Sequence, residues 1–297
     1  MFDVQLAIEN KFSRTNIDKY ILNEIETSPE IVAKIHQGAG LLDEWISKSY
    51  YDSKNARLSQ LKDLDLYDLV REVAVHTLPM ERSETFTSVV GRVASLLSYS
   101  SKIDGIKTLA EILAVVCQTD LFDIFKSGEY GVLHIKSNYR MSDETSRFIS
   151  QTKYLPPMVC KPNIVNSNSD SGYLTKRESL ILGSGNFHQK NICLDSINRF
   201  NQIPLALDTR LLTKFAETST KELDTKEKAD AYSKMILDSY LVYTDLVEQG
   251  NKFYLTHKVD KRGRTYSQGY HVNSQGSEYK KAIINLHKRE LIELPTK

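Results

Sequence analysis

The 297-residue sequence has no apolar run long enough to cross a bilayer. Its longest stretches, such as Ile112-Leu113-Ala114-Val115-Val116-Cys117, fall far short of the roughly 20 residues a spanning helix requires. The N-terminus, Met-Phe-Asp-Val-Gln-Leu, lacks a basic region followed by an apolar stretch, so no signal peptide is expected. Cysteine is scarce. Cys117, Cys160 and Cys193 lie far apart, odd in number and without metal-ligand spacing, and read as reduced thiols of a cytosolic protein rather than a disulfide framework. Neither an internal repeat nor a low-complexity tract is present. What remains is ordinary for a soluble globular chain, with 40% hydrophobic and 26% charged residues, long enough for one or two domains with a sizeable core.

Net charge is only +1, and that average conceals an asymmetry. From Lys252 to Lys297 there are ten Lys and Arg against four acids, while the remainder holds 29 bases against 34 acids. A basic end on a mildly acidic body suggests a polyanion-facing surface.

Periodicity predicts helices over the first 120 residues. Ser28-Pro29 suits an N-cap with proline in the first turn, opening a short helix with Ile31, Val32 and Ile35. Leu41, Leu42, Trp45 and Ile46 resume the spacing after an expected break at Gly38 and Gly40. Phe86, Val89, Val90, Val93, Leu96 and Leu97 form one amphipathic stripe, and Leu109, Ile112, Leu113, Val116 and Cys117 another; both are expected to be core. Ser127-Gly128-Glu129-Tyr130-Gly131 followed by Val132-Leu133-His134-Ile135 predicts a hairpin.

Beyond a short helix at 145–149, three prolines in Pro156-Pro157-Met158-Val159-Cys160-Lys161-Pro162 demand an extended path. A second small hairpin is expected around Ser179–Ile181 and Gly183-Ser184-Gly185. Helices follow at 191–200 and 207–215. A longer one is predicted at 225–249, with Asp224 as cap, Glu227 three residues on and Gly250 as terminator. Ala229, Ile236, Tyr240, Tyr243 and Val247 share one of its faces, so the helix is expected to project with one packed side.

The segment richest in chemistry is Phe253-Tyr254-Leu255-Thr256-His257-Lys258-Val259-Asp260-Lys261-Arg262-Gly263-Arg264-Thr265-Tyr266. A strand-like aromatic stretch enters a polar turn that gathers three cations, one carboxylate and a glycine. Gly263 permits positive φ or close approach of a ligand. Asp260 is near enough in sequence to orient Arg264 by a charge-assisted pair, and an arginine so held bonds phosphate oxygens in a defined geometry. Read without context, the same turn is also compatible with a solvated surface ion pair.

Asp260-Lys261-Arg262-Gly263-Arg264-Thr265-Tyr266, followed by Asn273-Ser274-Gln275-Gly276, resembles the single-subunit RNA polymerases of bacteriophages and mitochondria. In that family an aromatic strand leads into Asp-x-x-Gly-Arg-x-Tyr, then an Asn-Pro-Gln-Gly turn and a helix. Serine here replaces the usual proline, and Tyr279, Ala282, Ile283, Leu286 and His287 are expected on one face of that helix. Pro157–Pro162 followed by Gly172-Tyr173 is similar to the family's proline-rich stretch before Gly-Gly-Tyr, without its tryptophan. Ile197-Asn198, Ile203-Pro204-Leu205 and Arg210-Leu211-Leu212 resemble its Ile-Asn, Thr-Pro-Trp and Lys-Val-Leu segments. The resemblance runs from about Pro156 to the C-terminus.

The resemblance implies a mainly α fold with a small α+β part: a helical N-terminal domain (1–150) with an intercalating hairpin near 125–135, an extended connector with helices (151–215), a thumb-like helix (216–250) and the first part of a polymerase palm (251–297). It implies that Arg264, Tyr266, Arg262, Lys258 and His257 contact template and RNA–DNA hybrid, oriented by Asp260, Gly263, Asn273, Gln275 and Gly276. Tyr130 and Val132 would wedge against the edge of a melted bubble.

The family's reaction also needs two Mg²⁺-binding aspartates and a fingers-helix lysine and tyrosine. No His-Asp catalytic turn and no Arg-x-x-x-Lys…Tyr-Gly pattern occurs in the 297 residues. The expectation is therefore the small subunit of a heterodimeric phage polymerase working in the cytoplasm of the infected bacterium. It would be inactive alone, obligately paired with a larger C-terminal subunit that binds Mg²⁺, and away from membranes. Its other partners would be the DNA template, the nascent RNA and a single-stranded-DNA-binding initiation factor. A non-catalytic nucleic-acid-binding accessory and a structural phage protein remain as alternatives.

Overall fold

Hydrophobic stripes at helical spacing need another apolar face to cover them, and here that requirement organises most of the chain. The structure is a computed structural model and describes residues 1–128, 131–183, 185–219 and 222–288. It is mainly helical with small antiparallel sheets, and no helix among the described residues is long and apolar enough to cross a membrane. The chain divides into two units, Arg14–Ser150 and Met1–Ser13 with Gln151–Lys297. The opening helix α1 (Phe2–Lys11) therefore belongs with the C-terminal half, which periodicity does not reveal.

The Arg14–Ser150 unit contains α2 (Arg14–Thr27), α3 (Pro29–Ser47), α4 (Asp52–Ser59), α5 (Leu66–Thr77), α6 (Phe86–Val93), α7 (Lys102–Val116) and most of α8 (Asp143–Gln151). Ser28 caps α3, with its hydroxyl accepting from Ile31 N. The expected break at Gly38 and Gly40 is absent: α3 runs through both. A Cβ on Gly38 would lie 3.0 Å from Val70 Cγ1, so this glycine serves close helix packing rather than termination. Val89, Val90, Val93 and Leu97 are buried with Leu109, Ile112, Leu113 and Val116 in one core, as their spacing predicts.

A three-stranded antiparallel sheet of β1 (Glu84–Thr85), β2 (Phe122–Ser127) and β3 (Val132–Ser137), ordered β1-β3-β2, belongs to the same unit. β2 and β3 form the predicted hairpin, in register from Phe122 against Ser137 to Ser127 against Val132.

The second unit surrounds smaller clusters. Val159, Leu207, Tyr243, Leu246, Phe253, Leu255, Val272 and Ile283 form one, and Val165, Leu180, Ile181, Ile197 and Val259 another. Its further elements are α9 (Leu194–Asn201), β4 (Leu205–Leu207), α10 (Thr209–Lys214), α11 (Lys226–Glu248), β5 (His257–Val259), β6 (Thr265–Ser267), α12 (Glu278–Ala282) and β7 (Ile284–Leu286).

Thr225, not Asp224, caps α11, accepting from Lys228 N; Asp224 instead pairs with Lys228 Nζ at 2.6 Å. The buried residues of α11 are Ser239, Tyr243 and Leu246, all in its C-terminal half. The expected helix over 279–287 ends at Ala282, because Ile284–Leu286 pairs antiparallel with β4 instead. Pairing of Ile284, Asn285 and Leu286 with Leu207, Ala206 and Leu205 of β4 gives this segment the backbone partners that a further helical turn would otherwise supply.

Candidate nucleic-acid interface

The turn between β5 and β6 is closed by two backbone bonds, Asp260 N to Arg264 O at 3.0 Å and Gly263 N to Asp260 O at 2.9 Å. The second marks a four-residue turn, after which Gly263 sits at φ +80°. This is the three-residue hairpin loop in which the last position must be left-handed, and glycine adopts it without Cβ strain.

Asp260 is the hub of the turn. Its Oδ1 accepts the backbone N–H groups of Arg262 (2.9 Å) and Arg264 (3.0 Å). Its Oδ2 accepts Arg264 Nε at 2.7 Å, pairs with Arg264 Nη2 at 2.6 Å and receives the Tyr266 hydroxyl at 3.4 Å. Burial pushes this carboxyl up, but the bonds from Arg264 and the Arg262 backbone outweigh it and hold the pKa at about 2. The Arg264 guanidinium lies 5.6 Å from the Tyr266 ring centre, and its side chain remains 54% exposed. The result is a cation fixed along one edge and open to solvent along another.

The neighbouring cations have different surroundings. Arg262 is 72% exposed, with Nε 3.8 Å from Asp260 Oδ2. Lys258 points to Glu178 instead, at 2.8 Å, and is only 12% exposed. His257 is half-buried, with Nδ1 3.0 Å from Asn201 Oδ1 and its ring tilted against Phe200. The structure therefore groups Arg264, Arg262 and Tyr266 around Asp260, while Lys258 and His257 fasten β5 to the body. Tyr130 lies outside the described residues; Val132, beside that turn, is exposed at the start of β3.

The Asn-x-Gln-Gly turn acts as a clamp. Gln275 Oε1 accepts Ser267 N at 3.0 Å and its Nε2 donates to Thr265 O at 2.9 Å, so one side chain takes the place of a strand along the outer edge of β6. Asn273 Oδ1 accepts from Ser267 Oγ and Gln275 N, and Asn273 Nδ2 donates to Gly269 O at 2.8 Å. Gly276 closes the turn through its N–H to Asn273 O. These residues hold Tyr266, the middle residue of β6, in register opposite Lys258.

Two contributors are not legible in the motif. Of the hairpin expected around 179–185, Ser184 lies outside the described residues, and residues 180–182 form a strand-like segment parallel to β5, with Val259 N bonded to Leu180 O and Leu182 N to Val259 O. Glu178 at its start neutralises Lys258 across 80 positions of sequence, which no local pattern signals. Gly269, at φ +145°, permits the tight path between β6 and the clamp.

His257 and His271 both have pKa values of about 4, pushed down chiefly by burial and, for His271, also by Lys280. His271 lies 2.9 Å from Ser239 Oγ of α11. The native fold disfavours their protonation, whereas the unfolded chain protonates them below about pH 6.5. Stability is therefore expected to hold above that pH and to fall between about 6.5 and 4, by up to roughly 3 kcal/mol per histidine. Melting of wild type and His271→Asn from pH 7 to 4 checks this. The variant should lose less, and an equal loss would assign the fall to other groups.

Over 189 residues the chain is 26% identical to a probable DNA-directed RNA polymerase of Gelasinospora sp. (strain G114), and the match takes in 58% of this chain. No family model matches. The chain spans 22% of the length of that relative, and the similarity ties it to an RNA polymerase at the level of general relationship.

Proposed function

We propose that this chain is the template- and hybrid-binding subunit of a split DNA-dependent RNA polymerase, with the nucleotidyl-transfer carboxylates on a larger partner chain. The observation that carries the reading is Arg264. Its guanidinium is anchored by Asp260 at 2.6 and 2.7 Å yet more than half exposed, a preset geometry for phosphate oxygens. Such contacts fix the position of a strand without reading its sequence. Arg262 adds a second exposed cation on the same turn, and Tyr266 offers an aromatic ring beside them.

Among the described residues no group of three or more His, Cys, Asp or Glu side chains is arranged to hold a metal ion. In this reading the partner's aspartates would hold the Mg²⁺ ions that neutralise charge on the reacting phosphates. α11, whose buried residues all lie in its C-terminal half, is the element suited to a thumb, and 251–288 would form the start of a palm completed in trans. A shared palm implies a large, obligate interface. The setting is a bacteriophage enzyme in its host's cytoplasm, with start sites delivered by a single-stranded-DNA-binding factor.

The test is extension of a primed RNA–DNA scaffold by the full chain, alone and with the polypeptide that co-purifies with it. Synthesis by the pair and none by the single chain is expected. Synthesis by the single chain would overturn the split-enzyme reading. Binding without synthesis in any combination would favour a non-catalytic accessory, and absence of nucleic-acid binding a structural protein.

A further inference from the structure

Away from the hairpin turn, residues 163–177 of the second unit enclose an open groove of about 400 Å³. Asn163, Asn166, Asp170, Tyr173, Lys176 and Arg177 contribute to its lining. Its walls are held by specific bonds. Asp170 Oδ2 accepts the N–H groups of Asn166 (2.7 Å) and Ser167 (3.0 Å), which folds the first wall into a tight loop. Asn163 ties that wall to the second through Gly172 O at 2.8 Å and Tyr173 O at 3.1 Å.

The second wall is fixed by Glu9 of α1, a fully buried residue. Its carboxylate accepts Leu174 N (2.9 Å), Thr175 N (2.7 Å) and Thr175 Oγ1 (2.7 Å), together with Gln5 Nε2 (2.9 Å). A buried carboxylate is tolerated only with such a full set of donors. This set immobilises the backbone leading into Lys176 and Arg177.

Those two cations form no ion pair among the described residues, and Lys176 rests over the Tyr173 ring at 5.5 Å. The next residue, Glu178, is committed to Lys258. Asp170 is held below the usual carboxylate range, first by the Asn166 N–H, then by the Ser167 bonds and the charge of Arg177, so it is ionised at neutral pH. A groove with two cations outside any ion pair among the described residues suits a phosphate. The carboxylate beside them repels a bare phosphodiester but accepts a hydroxyl donor. Phosphate with an adjacent donating hydroxyl is the chemistry of ribose–phosphate, and the 2′-hydroxyl is the group that separates RNA from DNA. Tyr173 is buried and covered by Lys176, which leaves no ring face for a base and no means of reading sequence.

We infer that this groove holds a single RNA strand by its sugar–phosphate backbone, through Lys176 and Arg177 on phosphate and Asp170 on ribose hydroxyl. It rests on the reading above for the source of the strand, the emerging transcript. Glu178, bonded to Lys258 of β5, connects the groove's second wall directly to the strand that carries the Asp260 turn.

The test is equilibrium binding of the full chain to a short unstructured RNA oligonucleotide and to DNA of the same sequence, across a salt series. Wild type should prefer RNA and be indifferent to base sequence. Lys176→Gln/Arg177→Gln keeps the side-chain stems and should weaken RNA binding about tenfold, with the slope of log affinity against log salt smaller by about 1.4. Asp170→Asn keeps an acceptor for the loop and should bring RNA and DNA affinities together.

Unchanged RNA affinity and slope in the double variant, or an unchanged RNA-to-DNA ratio in Asp170→Asn, would overturn the inference. Arg264→Gln assayed on an RNA–DNA hybrid separates the two claims. Loss there with no effect of the groove variants removes the groove alone, and the converse removes the hairpin reading while the groove stands.

Discussion

Replacing Arg264 with alanine is expected to leave assembly with the proposed partner chain intact and, under the proposed function, to slow transcript extension roughly ten- to hundredfold, the range for losing one charge-assisted contact. Assembly should survive because the Arg264 side chain touches only Asp260 and Tyr266 within its own turn and is more than half exposed. Gly263 N, Asp260 N and the Gln275 clamp hold the hairpin without it. Extension should slow because a guanidinium anchored along one edge presents its other donors at a fixed angle, and alanine presents none. Arg264→Lys is therefore expected to recover only part of the rate: it restores charge but not the fork that binds Asp260 and a phosphate together. Run-off synthesis by Arg264→Ala at the wild-type rate would remove this residue from the mechanism.

The largest expected loss of stability lies at Gly269. Its φ is +145°, a region that side chains other than hydrogen rarely enter, and a Cβ there would meet the Val272 carbonyl oxygen at 2.4 Å. That clash is with backbone, so relief requires the chain between β6 and the Asn-x-Gln-Gly turn to move. Gly269→Ala is expected to cost on the order of 3 kcal/mol or more, a fall in melting temperature of about 10 °C for a domain of this size. The damage should extend beyond stability. Gly269 O accepts Asn273 Nδ2, so its displacement loosens Asn273, then Gln275 and the edge of β6 that carries Tyr266. An unchanged melting temperature would show that the turn has another accessible path.

Much of this was legible in the sequence, for physical reasons that differ from place to place. The stripes at 86–97 and 109–117 predicted buried helices correctly because a 3.6-residue period has no competing explanation when the polar face is equally regular. The hairpin of β2 and β3 was legible from two glycines, both of which take positive φ. The Asp260–Arg264 pair was legible because both partners lie within one turn.

What was not legible depends on partners distant in sequence. Gly38 has the composition of a helix breaker, but the deciding fact is Val70 on another helix. Ile284–Leu286 continues a plausible helical face and becomes strand because β4 offers an edge. Lys258 has the composition of a phosphate contact until Glu178 is placed beside it. A recurrent device was also hidden: Asn198, Asn251 and Gln275 each use a side-chain amide to donate to one backbone group and accept from another, standing in for a strand. An amide in this role is indistinguishable in sequence from one in solvent.

The most direct measurement is equilibrium binding of a short RNA–DNA hybrid to the full chain over a salt series, wild type against Arg264→Gln. If the anchored guanidinium grips hybrid phosphate, the variant binds more weakly and the slope of log affinity against log salt falls by about one. Identical affinity and identical slope would contradict the account.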